Sequence, residues 1–169
     1  MTDFSVGLTS DGWRLLRGRL AFTGAAGFGL AGTAINVFVT TGQVELDRGY
    51  AYISETLVSV SDLGTIALGL NGGNTGQYVE AAQSVVGAGT FAAGSWWHSL
   101  GNPNVSIHGN DFIRYDSVSG TLTPKAIGVN IILSPATQNI TDGQLDFFVW
   151  WRPLSSNGNL ALGANLTAI

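Results

Sequence analysis

The chain reads as an all-β protein: a jelly-roll-like β-sandwich with one short helix and an N-terminal arm. Three observations predict this. Short runs rich in Val, Ile, Thr and aromatic residues alternate with Gly, Pro, Asn and Asp turn signals along most of the length. Only one stretch carries helical periodicity. Glycine makes up 24 of the 169 residues and there is no cysteine, so turns are abundant and no disulfide staples them. A chain of this length can bury its own core, and one domain is the natural count.

Residues 1–12, MTDFSVGLTSDG, are polar and irregular and form the arm; residues 13–169 form the sandwich. Trp13–Phe22 is the first strand, with Arg17 and Arg19 on one face and Arg14 on the other. Gly27–Gly32, GFGLAG, matches the dinucleotide-binding pattern G-x-G-x-x-G, which requires a helix to follow. Here Thr33–Thr40 follows, dense in β-branched residues that lose rotamer freedom in a helix and suit a pleated sheet. The glycines are therefore a loop between two strands. In that second strand Ile35, Val37 and Val39 share one side and Phe38 takes the other. Gln43–Asp47 continues or follows it, with a turn at Arg48–Gly49. Tyr50–Asp62 puts Tyr52, Thr56, Val58 and Val60 on one parity, and Gly64–Leu70 is a further strand.

Gly76–Gly87 differs. Tyr78, Ala81, Ala82, Val85 and Val86 fall on a helical stripe, which predicts the single short helix. Strand-like runs then recur: Thr90–Trp97, Asn104–Gly109, Asp111–Asp116, Lys125–Leu133 and Gln144–Trp151.

Charge is scarce. Charged residues are 11% of the chain and the formal net charge is −4, against about 25% charged residues in an ordinary soluble domain. A surface this poor in charge is made of small polar residues, or is partly covered by other chains. Few cations and a negative balance argue against a nucleic-acid partner. Leu20–Val44 carries no charge, yet its glycines, threonines, Asn36 and Gln43 make a membrane-spanning helix a poor reading. The polar N-terminus shows no secretory signal. The sequons Asn104-Val-Ser106, Asn139-Ile-Thr141 and Asn165-Leu-Thr167 are then coincidental.

No constellation of catalytic type emerges, and the expectation is a non-enzyme without cofactor or metal. His98 and His108 with Asp111 and Asp116 are the best candidate cluster, but their spacing fits no ligand pattern. No G-x-S-x-G elbow is present. Two residue groups stand out as contact candidates. Arg14, Arg17 and Arg19 are the one basic cluster, read either as a solvated edge strand or as a docking strip for an acidic partner. Trp96–Trp97 and Trp150–Trp151 are adjacent pairs, so one member of each points out of its sheet. The pairs serve the core alone, an oligomer interface or a sugar-stacking platform, and Trp97 and Trp151 are the interface candidates.

Two stretches carry a resemblance. AINVFVTTGQVELD with AYISETLVSVSDLGTIALGLNGG (within 34–73), and NIILSPATQNITDGQLDFFVWWRPL (130–154), resemble segments of small tailed-bacteriophage virion proteins, in particular head decoration (cement) proteins. The resemblance spans about residues 33–153 and rests on strand and turn texture. It implies a capsid-surface protein in the virion. Such a protein would bind the major capsid protein and itself, as a homotrimer, with Arg14, Arg17 and Arg19 reaching the shell. A receptor- or carbohydrate-binding sandwich, such as a fibre or tail accessory module, is the alternative.

Overall fold

A computed structural model describes residues 12–71, 81–86, 90–97 and 125–169. Eleven strands occur among them: β1 (Arg14–Ala21), β2 (Ile35–Thr41), β3 (Val44–Ser59), β4 (Gly64–Leu70), β5 (Ala81–Val86), β6 (Trp96–Trp97), β7 (Lys125–Ile127), β8 (Ile131–Ala136), β9 (Ile140–Pro153), β10 (Asn159–Leu162) and β11 (Thr167–Ala168). They form two antiparallel sheets. One runs β11-β1-β9-β3-β6, with β7 also pairing β3; the other runs β10-β2-β8-β4-β5. The chain crosses between sheets at most connections, so the sheets are interwoven rather than sequential. The sandwich is all-β, as the sequence predicts.

The long pair β3–β9 is the spine. Its register places Leu46 against Trp151, Gly49 against Val149, Ala51 against Phe147 and Ile53 against Leu145. All eight are buried and face the second sheet. Each large apolar side chain so buried contributes about 1.5–3 kcal/mol. β1 continues this inner layer with Leu16, Gly18 and Leu20 opposite Val149, Phe147 and Leu145. Across the sandwich, Phe38 meets Phe147 edge-on at 6.3 Å.

Several expected details change. Phe38 does not face away from Ile35 and Val37: a bulge between Asn36 and Phe38 turns it inward, and all three are buried. Arg48–Gly49 is not a turn. The strand runs straight through it, with a bulge between Leu46 and Arg48 absorbing one residue. Ala81–Val86, expected as part of a helix, is a strand paired antiparallel with β4. The only helix among the described residues is a 3-10 turn at Val60–Asp62. Of the expected arm only Gly12 lies within the described residues, and the expected strands at 104–109 and 111–116 lie outside them.

Two glycines carry geometric weight. Gly163 joins β10 in one sheet to the segment leading to β11 in the other. A Cβ there would collide with the carbonyl oxygen of Asn36. Gly18, on the inner face of β1, leaves room for Leu162, which would sit 2.5 Å from a Cβ. The chain therefore seals this flank of the sandwich only because both positions lack a side chain. Gly163→Ala is expected to lose about 3 kcal/mol or more, because backbone must move. Gly32→Ala, at φ +77 with nothing within 4 Å, is expected to lose only about 1–2 kcal/mol of left-handed strain. Urea denaturation of both variants measures the difference.

Candidate functional site

The same register that fills the core writes the opposite face of the six-stranded sheet. Outward from β9 stand Gln144, Asp146, Phe148, Trp150 and Arg152. Against them β3 presents Glu55, Tyr52, Tyr50, Arg48 and Glu45. β1 adds Leu15 beside Trp150, Arg17 beside Phe148 and Arg19 beside Asp146. β6 adds Trp96 beside Tyr52.

Five aromatic rings thus meet on one sheet face. Tyr52 and Trp96 lie 4.9 Å apart, Trp96 and Phe148 5.9 Å, Tyr50 and Trp150 6.3 Å, and Tyr50 and Trp96 6.4 Å. The Tyr50 contacts are edge-to-face, the arrangement that ring quadrupoles favour. All five are half-buried: neighbouring rings fix each in place and leave part of it to solvent.

Paired charges border the rings. Arg19 forks onto Asp146, Nε to Oδ1 at 2.6 Å and Nη2 to Oδ2 at 2.8 Å. The Asp146 side chain is only 7% exposed. Hydrogen bonding to Asp146 raises the Arg19 pKa above its ordinary value; charge attraction adds to this and burial opposes it. The guanidinium is therefore charged at any working pH. Arg152 donates to Glu45 at 2.5 Å, Arg48 to Asp47 at 2.9 Å, and Gln144 to Glu55 at 2.7 Å. The Arg48 guanidinium also lies 5.3 Å from the Trp150 ring centroid.

The three arginines expected as one docking strip therefore have three situations. Arg14 is on the inner parity and caps Trp151 at 5.1 Å. Arg19 is committed to Asp146. Arg17 alone lies on the outer face with no ionic or hydrogen-bond partner among the described residues.

The tryptophan assignment is corrected. Each pair does split between faces, but Trp97 and Trp151 are the buried members, fully and to 4% exposure. Trp97 packs on Phe91 at 5.5 Å. Trp96 and Trp150 are the outward ones. His98, His108, Asp111 and Asp116 lie outside the described residues.

A second surface feature is aliphatic. Val58, Val60 and Leu63, at the turn from β3 to β4, are 43%, 44% and 56% exposed. Ser61 and Asp62 hold this turn with φ near +55, a left-handed conformation uncommon for residues other than glycine. The glycine loop is structural. Asn139 accepts from Ala31 N–H at 3.0 Å, Asn165 donates to Gly27 O at 2.8 Å, and Gly29 packs against the backbone of Ile140. Two of the three sequon asparagines thus clamp GFGLAG, and β2 follows it.

Among the described residues no group of three or more His, Cys, Asp or Glu could hold a metal ion. No helix among them is long and apolar enough to cross a membrane. The chain matches no known family model, no curated protein and no solved structure.

The Arg19–Asp146 fork anchors the outer face, and its removal has a definite cost. Stripping one partner from a buried ion pair costs about 3–5 kcal/mol; solvent access to Arg19 reduces this to about 2 kcal/mol. Arg19→Leu should show that loss in urea denaturation. The double variant Arg19→Leu/Asp146→Leu should recover most of it, because no buried carboxylate is then left alone.

Proposed function

We propose that this chain is a structural protein of a tailed-phage virion that decorates the head surface and works by contact area rather than chemistry. The reading carries forward the resemblance of residues 34–73 and 130–154. Three things support it. The strand order of the sandwich, with β1-β9-β3-β6 in one sheet and β2-β8-β4-β5 in the other, supports a jelly-roll reading, an architecture used by viral capsid proteins. The low charge leaves surface suited to burial against other chains. The single observation that carries the reading is the aliphatic turn. Among the described residues the exposed large hydrophobics are Val58, Val60, Leu63, Val129, Leu154 and Ile169, and the first three are grouped at one turn; grouped exposed aliphatics mark interaction sites.

On this reading the β3–β4 turn seats into an apolar depression of the assembled shell. The turn lies inside the first resembling stretch. Arg17, the outer-face arginine with its charge open, is then the residue of the basic cluster that meets an acidic shell; Arg14 and Arg19 serve the fold. Binding only the assembled shell would stabilise it by mass action, and a homotrimer would repeat the contact around a local three-fold axis.

Co-sedimentation with emptied phage heads tests this. The double variant Val60→Asp/Leu63→Asp should keep its fold, since both side chains are exposed, and should lose roughly tenfold or more in binding. Arg17→Glu should weaken binding most at low salt. Unchanged sedimentation of both variants would reject the reading.

A further inference from the structure

We infer that the aromatic outer face of the six-stranded sheet, built from Trp96, Tyr52, Tyr50, Phe148 and Trp150, is a binding face for an uncharged polysaccharide. The inference is carried by residues other than the exposed aliphatic turn of the shell contact; of the residues assigned to that contact, only Arg17 lies on this face, beside Phe148.

Charge selects the class of partner. The chain as a whole has a net charge of −4, yet the charges around these rings cancel locally. Arg19 is neutralised by Asp146, Arg48 by Asp47 and Arg152 by Glu45. Among the described residues around the rings, Arg17 beside Phe148 and Glu55 beside Gln144 are left over, one charge of each sign. Among the described residues an anionic or cationic polymer would meet balanced charge here, and would have to break formed ion pairs to gain contacts. A neutral partner has no such cost.

The remaining chemistry fits a sugar. A pyranose ring presents an apolar face of C–H bonds and an equator of hydroxyls. Aromatic rings offer the matching apolar, π-rich surface. Planar charged groups at the border offer hydroxyl partners: the guanidinium of Arg19 and the carboxylate of Glu55 each retain hydrogen-bonding capacity beyond the single partner they hold. The contacts among the rings, from 4.9 to 6.4 Å, already fix their rotamers. Little conformational entropy is then lost when a ligand arrives. The rings also extend across β6, β3 and β9, so the surface is a broad platform suited to a chain of sugars rather than a closed pocket for one.

The test is native electrophoresis of the full chain through gels containing hydroxyethylcellulose, galactomannan or dextran, with alginate as the anionic control. At least one neutral polymer should retard the protein, and added salt should leave the retardation unchanged. Trp96→Ala and Trp150→Ala should each weaken it by roughly tenfold, with circular dichroism confirming the fold. The two tryptophans stand on different strands, so one variant serves if the other does not fold. Val60→Asp/Leu63→Asp should be retarded like the parent. No retardation by any neutral polymer would overturn the inference. So would retardation by alginate alone, or retardation that survives both tryptophan variants. A drop in native mass on Trp96→Ala would overturn it too, by showing that a second copy of the chain covers this face.

Discussion

The pairing of β3 with β9 is the constraint on which the rest depends. These two strands, of 16 and 14 residues, run antiparallel from Val44 opposite Pro153 to Ser59 opposite Ile140. Side chains alternate along each, so one register decides two surfaces at once. It sends Phe147, Val149 and Trp151 inward to the second sheet and Phe148, Trp150 and Arg152 outward. A slip of one residue would exchange the core with the aromatic face. Because Phe147–Trp151 is apolar on both parities, hydrophobicity there does not oppose that slip. The Arg19–Asp146 fork does, since it would have to enter the core. So does Gly18, whose lack of a side chain admits Leu162 at one point only. Polar pairs on the outside and a small residue on the inside thus specify a register that the apolar residues leave open.

The strand content was legible because β-branched residues and turn glycines dominate locally. Trp13–Phe22, Thr33–Thr40 and Gly64–Leu70 fall on β1, β2 and β4 almost residue for residue. The glycine loop was legible for the same reason: no helix could follow it. The facing of the tryptophans was not. In Phe147-Phe148-Val149-Trp150-Trp151 every side chain is apolar, so no contrast between the two parities marks which one faces the core. The bulges were equally hidden. At Asn36/Phe38 and Leu46/Arg48 a single extra residue reverses the parity, and neither site carries a glycine to announce it.

The helix expected over 76–87 failed over its described part for a related reason. Ala81, Ala82, Val85 and Val86 are spaced for a helix, but four positions cannot outweigh an open sheet edge. β4 offers unpaired backbone along Gly64–Leu68, and Ala81–Val86 satisfies it. Ser59 then ties the junction: its hydroxyl donates to Val86 O at 2.5 Å and accepts from Gly64 N–H at 3.0 Å. Tertiary pairing decided the conformation, as it commonly does when intrinsic preference is weak.

Adjacent tryptophans lie on opposite faces of the six-stranded sheet, and hydroxyl-radical footprinting with tandem mass spectrometry reads this directly. Trp96 and Trp150 should oxidise readily in the native protein, while Trp97 and Trp151 should stay protected until it unfolds. Oxidation of Trp97 and Trp151 with protection of Trp96 and Trp150 would mean that the register of the six-stranded sheet is reversed, and the aromatic face described here would belong to the core.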